Sequence, residues 1–325
     1  MKILVTGATG FIGGALVRRL LSEGSDVRVQ IRNLKSANEL KEAGAEIFEG
    51  DITDPSVCSR AVNGVDVVFH CAGVLGGWGK PEKLFWDVNY QGTKNMLEAA
   101  RDAKVKRFIH FSTCGIFGPL KKDETPADER SYNPTNIYEK TKAEAEKLAL
   151  GYAKNGLPLV VVRPEFVYGP GDMHLLPFFR SVKRRSFLFF DKGTALVHPT
   201  YIDDLVDGVM LAAENKEALG KAFNLAGEKP VTIKEFVDSM SDAIDVPRIG
   251  FSVPATAGTV AATIFDCTIG LVVQPPLTRA QVGFLSNSHA SSIKASKEVL
   301  GYSPKIGIEE GIRRTVGWYR ENGLL

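Results

Sequence analysis

The sequence predicts an α/β protein built on a doubly wound parallel sheet, followed by a smaller mixed region. Two observations carry that expectation. Short β-branched runs recur at Ile3 to Val5, Val27 to Ile31, Glu46 to Phe48, Val65 to Phe69, Arg107 to Phe111 and Leu159 to Val162. Stretches with helical apolar periodicity lie between most of them, among them Phe11 to Glu23 and Asn89 to Ala103. Strands alternating with helices demand right-handed crossovers, which place helices on both faces of a parallel sheet. The 325 residues, 44% apolar and 24% charged, suffice for one large domain or two unequal ones.

The alternation degrades after Gly169, and Pro and aromatic residues cluster between Pro170 and Pro199. Such a change predicts a second region laid over the C-terminal edge of the sheet, where ligands of open α/β folds bind. Residues 1–170 with about 195–225 are expected to form the first unit, and 171–194 with 226–325 the substrate-binding region.

Composition narrows the function. Forty basic residues against thirty-eight acidic ones leave no polycation for a nucleic-acid backbone, so an anionic ligand must be gripped locally. Cys58, Cys71, Cys114 and Cys267 lie far apart without a CxxC pair. They offer no zinc site and no disulfide framework, and they suit the reducing cytoplasm. The apolar start, Ile3 to Val5, is too short for the core of a signal peptide. The segment Ala255 to Val273 carries Asp266 and is bracketed by Pro254 and Pro275-Pro276. It reads as a buried or interfacial helix rather than a spanning one, which leaves peripheral membrane association open.

Directly after the first strand stands Thr6-Gly7-Ala8-Thr9-Gly10-Phe11-Ile12-Gly13, opening the first amphipathic helix. Gly7 permits a tight turn, Gly10 lets backbone approach a pyrophosphate, and Gly13 lets helix and strand pack closely. The helix N-terminus adds free N–H groups and a positive dipole end. A Rossmann-type dinucleotide site is expected there. At the end of the second strand Ile31 is followed by Arg32, where an acidic residue would grip a ribose hydroxyl of NAD. A guanidinium can pair with the 2′-phosphate of NADP, so the pattern favours NADP over NAD, with a solvated strand end as the other reading of Arg32. Asp51-Ile52 and Ala72-Gly73 close the third and fourth strands at the same edge, and Asp51 is an acceptor for an adenine amino group.

Two Tyr-x-x-x-Lys pairs occur, Tyr90 with Lys94 and Tyr138 with Lys142, each on one helical face. A tyrosine that exchanges a proton with a substrate hydroxyl starts from a pKa near ~10, so ionising it near neutrality takes roughly 4 kcal/mol from a neighbouring cation. The choice falls to a third group. Only Tyr138 is preceded by a strand that ends in two hydroxyls, Ser112 and Thr113. Tyr138 and Lys142 are therefore assigned to catalysis, with Tyr90 a surface or core tyrosine.

Thr6 to Gly13, Asp51, Ala72-Gly73, Asn89 with Gly92-Thr93, Thr113, Tyr138 with Lys142, and Arg163-Pro164 through Tyr168-Gly169-Pro170 together resemble the extended short-chain dehydrogenase/reductase family. The likeness covers nearly the whole chain. It implies that Tyr138 is the general acid/base, that Lys142 also binds the nicotinamide ribose, and that Thr113 rather than Ser112 orients the substrate oxygen. It further implies a dinucleotide lying against Gly7, Thr9, Gly10, Phe11, Ile12, Gly13, Arg32, Asp51, Ile52, Ala72, Gly73, Asn89, Tyr138, Lys142, Pro164 and Val167. Asn89 also supports the scaffold. The helices Asn89 to Ala103 and Tyr138 to Tyr152 are those through which the family commonly dimerises. Phe117 stands where many relatives have tyrosine.

Within the family, dehydratases need an acid and a base after the catalytic threonine; Cys114 and Gly115 stand there instead. Cys114 and His174 resemble the cysteine–histidine pair of GDP-sugar 3,5-epimerases, but the cysteine falls one position out of place, so an inert apolar cysteine and a surface histidine are the favoured readings. Glu165 and Phe166, just past the sixth strand, are expected in the substrate wall. Lys183-Arg184-Arg185 and His198 are read as a solvated helix end and a satisfied strand-end histidine. The tail from Pro275 to Arg320 resembles the 3β-hydroxysteroid and sterol-carboxylate dehydrogenase branch, with Ala255 to Val273 either a lid over a greasy substrate or plain core. Arg28 and Arg32 resemble the NADP-using dihydroflavonol reductases. The reaction expected is hydride transfer between a nicotinamide and a secondary alcohol or ketone. A nucleotide-sugar 4-epimerase is the alternative, and a non-enzymatic NADP sensor is disfavoured by the complete Thr113, Tyr138 and Lys142 set.

Overall fold

The computed structural model describes residues 1–34, 37–121, 124–268 and 275–325. The N-terminal part runs β1 (Lys2–Thr6), α1 (Phe11–Ser22), β2 (Asp26–Ile31), α2 (Asn38–Glu42), β3 (Glu46–Glu49), α3 (Pro55–Ala61), β4 (Val67–His70), α4 (Glu82–Phe85), α5 (Thr93–Asp102), β5 (Arg107–Phe111), α6 (Ile137–Lys154) and β6 (Leu159–Pro164). Short strands follow: β7 (Val167–Tyr168), β8 (Phe189–Phe190), β9 (Leu196–Val197), β10 (Thr200–Tyr201), β11 (Ala222–Leu225), β12 (Val231–Thr232) and β13 (Ser252–Val253). Helices α7 (Leu176–Lys183), α8 (Ile202–Glu214), α9 (Ile233–Ile244), α10 (Ala255–Cys267), α11 (Arg279–Ser286) and α12 (Ile308–Glu321) fill the C-terminal part.

Seven strands form one parallel sheet in the order β11-β6-β5-β4-β1-β2-β3. Helices cover both faces, which is why β6 is buried at every residue and its sequence is a continuous Leu-Val-Val-Val run. The strand order reverses between β1 and β4, and the crevice beyond their C-terminal ends is where a ligand of such a sheet sits. The last residues of β1, β4, β5 and β6 all open there. Seven-strand parallel order and flanking helices agree with the expected fold class.

One apolar core covers a sheet face and continues into the C-terminal region, taking in Val5, Val29, Val160, Phe179, Phe236 and Tyr319. A second, on the opposite face, joins Leu4, Val68, Met96, Phe108 and Leu159. Helix α8 returns to pack on α1, β5 and β6.

Two expectations differ in detail. The helix read as Asn89 to Ala103 begins earlier as a π-helical turn, Trp86–Gly92, before continuing as α5. Gly92 packs so closely that a Cβ there would stand 2.6 Å from Ile52 Cδ1, and the widened turn directs Asn89 inward. The segment Ala255 to Val273 is helical over α10, whose residues Val260 and Ile264 are exposed; Ile269 to Val273 lie outside the described residues. Among the described residues no helix is long and apolar enough to cross a membrane.

Candidate active site

The glycine loop takes the conformation its residues require. Gly7 has φ +69°, and a Cβ on it would lie 2.7 Å from the Ala72 nitrogen. A Cβ on Gly13 would lie 2.3 Å from the Gly7 carbonyl oxygen. Gly10 is the N-cap of α1 and makes no side-chain cap bond, so the first-turn N–H groups of that helix are left for a ligand. With exposed Thr9 and Gly10 in front and half-buried Phe11 and Ile12 behind, the cradle fits a pyrophosphate. Arg32 stands exposed immediately after β2. Arg28 does not join it: its guanidinium pairs with Glu46 at 2.8 Å and donates to the carbonyls of Ala61 and Asn63, so it is structural. Asp51 caps its own turn by accepting from the Thr53 nitrogen, and Ile52 is buried against Gly92.

Thr113 directly follows β5, and its hydroxyl accepts from the Gly115 nitrogen at 3.2 Å, capping the short turn Cys114–Phe117. Its hydroxyl stands beside the Tyr138 phenol and favours its ionised form. Tyr138 lies in the first turn of α6 because Asn136 caps that helix, accepting from the Glu139 nitrogen at 3.0 Å. One turn on, Lys142 is buried and its ammonium donates to the Phe111 carbonyl. Tyr90 instead packs edge-on against Trp86, and Lys94 pairs with Glu98. The structure thus brings Thr113 and Tyr138 together and leaves the other tyrosine on a helix face.

Burial pushes the Tyr138 phenol up to about 12, and the Thr113 hydroxyl pulls the other way. Lys142 itself is pushed down to about 8 by burial, opposed by the Glu146 carboxylate. The protein's own groups therefore keep Tyr138 a phenol and Lys142 an ammonium at neutral pH.

Asn89 is fully engaged inside the protein. Its Oδ1 accepts from the Val74 nitrogen at 2.7 Å, and its Nδ2 donates to the Val74 carbonyl and to Thr141 Oγ1, both at 3.1 Å. It holds the loop after β4 against α6, with Gly73 close enough that a Cβ there would meet Asn89 Oδ1 at 3.2 Å. Ala72 is held by its nitrogen donating to Thr6 Oγ1 at 3.1 Å. Pro164 is buried at the end of β6, and Val167 is half-buried in β7.

On the substrate side Glu165 is 8% exposed, and its Oε2 has no hydrogen-bond partner among the described residues. Burial raises its carboxyl to about 7, opposed by the neighbouring Ser291 and Cys114 side chains. Phe166 follows with φ +40°, a costly angle for a bulky residue, and its ring stacks on Phe284 at 5.2–5.6 Å from its aromatic neighbours Phe236 and Phe284. Cys114 is buried with its thiol donating to the Arg163 carbonyl, and burial keeps it protonated. His174 is exposed, beside exposed Met173, in a loop closed by Asp172. Cys114 and His174 therefore sit in unlike surroundings. His198 is buried with each ring nitrogen facing a carbonyl, of Ser291 and Gly227, as a satisfied histidine. Lys183, Arg184 and Arg185 are exposed at the end of α7. Phe117 packs under the Arg163 guanidinium at 4.9 Å, which pairs with buried Glu146.

Sequence reasoning gave no individual role to Thr6, His70, Thr93 and Thr141, which are all buried and hydrogen-bonded around the loop and α6. It also missed Ser291 and Phe284, which reach the Glu165–Phe166 corner from far along the chain. The only available signal was that polar residues occupy positions of buried strand and helix faces.

A pyrophosphate cradle on a parallel sheet, with a strand-end hydroxyl beside a helical tyrosine, defines an extended short-chain dehydrogenase/reductase. Residues 3–226 match the NAD dependent epimerase/dehydratase family, and the chain belongs to it. It is 33% identical, over 97% of its length and 98% of the relative's, to 2-alkyl-3-oxoalkanoate reductase of Stenotrophomonas maltophilia. It is 27% identical, over 97% of its length and 90% of the relative's, to the decarboxylating sterol-4-alpha-carboxylate 3-dehydrogenase of Mus musculus. Among solved structures it resembles UDP-glucuronic acid 4-epimerase of Bacillus cereus in complex with NAD, with TM-score 0.79, 25% identity and 99% of both chains covered. It is an enzyme of this NAD-dependent family of oxidoreductases, epimerases and dehydratases.

Proposed function

We propose that the protein is an oxidoreductase that transfers a hydride between a nicotinamide dinucleotide and the carbinol or ketone carbon of a bulky, largely apolar substrate. The observation that carries this reading is the placement of Thr113, directly after β5, beside the Tyr138 phenol, with Lys142 buried one turn further along α6. A phenol kept neutral is ready to give its proton to a ketone oxygen, while the Thr113 hydroxyl holds that oxygen. Lys142 brings a positive charge that offsets the phenolate left behind. The dinucleotide supplies or accepts the hydride, held by Gly7, Gly10 and Gly13 at the start of α1. NADP is the preferred form in this reading, because exposed Arg32 and no carboxylate stands after Ile31.

The stacked, partly buried rings of Phe166 and Phe284 beside Glu165 support a greasy substrate, and two relatives are named for a 2-alkyl-3-oxoalkanoate and a sterol carboxylate. Residues 1–170 with about 195–225 hold the dinucleotide, and 171–194 with 226–325 the substrate. The family resemblance supports a cytoplasmic homodimer paired through the helices Asn89 to Ala103 and Tyr138 to Tyr152.

The test is oxidation of NADPH and NADH by the purified protein with a 2-alkyl-3-oxo acid, alongside identification of any dinucleotide that co-purifies. Turnover with NADPH, stopped by Tyr138→Phe with NADPH binding intact, is the expected result. Tightly held NAD that never exchanges, with no net oxidation, overturns this reading in favour of a 4-epimerase.

A further inference from the structure

Five buried residues join the glycine loop to the first turn of α6. The Ala72 nitrogen donates to Thr6 Oγ1, which lies 2.9 Å from His70 Nδ1. His70 Nε2 lies 3.0 Å from Thr93 Oγ1, and that hydroxyl donates to the Asn89 carbonyl at 2.7 Å. The Asn89 Nδ2 donates to Thr141 Oγ1 at 3.1 Å, and the Thr141 hydroxyl donates to the Tyr138 carbonyl at 2.9 Å, sharing it with the Ile137 carbonyl at 3.0 Å. Thr6, His70, Asn89, Thr93 and Thr141 are each 0% exposed.

Counting protons leaves one arrangement. Thr93 has a single hydroxyl proton, and it is committed to the Asn89 carbonyl. Its oxygen can then only accept from His70, so Nε2 carries the proton. A neutral ring with Nε2–H has a lone pair on Nδ1, and the Thr6 hydroxyl must donate to it. Every bond in the series then runs with one donor and one acceptor, without a clash or an empty valence. Burial, with the Lys142 ammonium nearby, pushes the His70 pKa down to about 3, which keeps the ring neutral. Around the ring stand His110, stacked 23° from parallel at 5.9 Å, and Phe108, with Lys142 and the thiol of Cys71 at the same strand end. His110 is itself held neutral by burial.

We propose that His70, locked as its Nε2–H tautomer between Thr6 and Thr93, is a positioning residue that sets the catalytic Tyr138 against the dinucleotide loop. The proposal rests on the reading of Tyr138 as the proton donor. Thr6 immediately precedes Gly7, so the histidine ties the turn that receives the pyrophosphate to the carbonyl of the residue that moves the proton. Neither end touches the other directly, and a rigid neutral imidazole spans the gap between β1 and α5, with the same geometry at any pH where the protein is folded.

The test combines nitrogen NMR of the His70 ring with kinetics of the full chain. The ring is expected as the Nε2–H tautomer, unchanged from about pH 5 to 9. Thr93→Val removes the acceptor and should shift the ring away from that tautomer. It should also lower turnover of a 2-alkyl-3-oxo acid roughly tenfold, with the NADPH dissociation constant within about threefold of wild type. Thr93→Ser, which keeps the hydroxyl, should recover both the tautomer and most of the turnover. A wild-type ring found as Nδ1–H or as imidazolium near neutrality overturns the proposal. So does a Thr93→Val protein with wild-type turnover. Tyr138→Phe is the control: if it keeps full turnover, the catalytic reading has failed rather than the histidine link, which the tautomer then decides alone. If Thr93→Val does not fold, the wild-type tautomer and Thr93→Ser still decide it.

Discussion

The two sides of the cleft are built by different physics. On the dinucleotide side, backbone sterics dominate: Gly7 at φ +69° packs against Ala72 and Gly13 against the Gly7 carbonyl, leaving no room for a side chain at either. On the substrate side, Glu165 meets Ser291 and Phe166 meets Phe284, contacts between residues more than a hundred positions apart. The first side is a local device, repeatable from its motif. The second depends on how the C-terminal region packs.

The largest effect that would sharpen this contrast is at the proton donor itself. Tyr138→Phe should lower turnover about a hundredfold or more while NADPH still binds, as read by fluorescence titration beside steady-state kinetics. Gly13→Val attacks the backbone side. Its side chain would press on the Gly7 carbonyl, so roughly 2–3 kcal/mol of stability should go, together with dinucleotide affinity, in paired urea melts and titrations. A variant as stable and as tight as wild type would show that the loop is not sterically set.

Arg32→Ala should cost about tenfold in the preference for NADPH over NADH, whereas Arg28→Ala should leave the preference alone because Arg28 is engaged by Glu46. Equal effects of both on the two dissociation constants would contradict that division. Turnover should decline above about pH 8 as Lys142, whose pKa is lowered from 10.5 to about 8 by burial, loses its charge. A pH profile flat to pH 9.5 would remove the ammonium from the mechanism.

The smallest effect belongs to Glu165, on the substrate side. Its folded pKa is raised from 4.5 to about 7, so the native state holds a proton that the unfolded chain releases between those values. Stability from this group is complete below about pH 4.5 and is lost as pH rises toward about 7. Glu165→Gln should flatten that slope in urea midpoints measured across the window.

Much of the fold was legible in the chain. The β-branched runs lie within or beside the first six strands, and Arg107 to Phe111 coincides with β5, because strands buried on both faces must be continuously apolar. Thr113, Tyr138 and Lys142 were legible because their spacing reflects helix period and strand ends. The direction of the tyrosine's shift was not, since desolvation depends on the whole surrounding fold and here outweighs every nearby attraction. Arg28 looked like a partner of Arg32 because the two together resemble the NADP-using dihydroflavonol reductases; only the pairing of β2 with β3 gave it Glu46.

By itself, then, the sequence determined the parallel sheet, the glycine cradle and the Tyr138–Lys142 pair, since each follows from sterics or periodicity within a few residues. Tertiary structure alone decided that His70 lies between Thr6 and Thr93, and that Glu165 is buried beside Ser291. Burial and hydrogen-bond partners are properties of distant segments brought together, and no local pattern carries them.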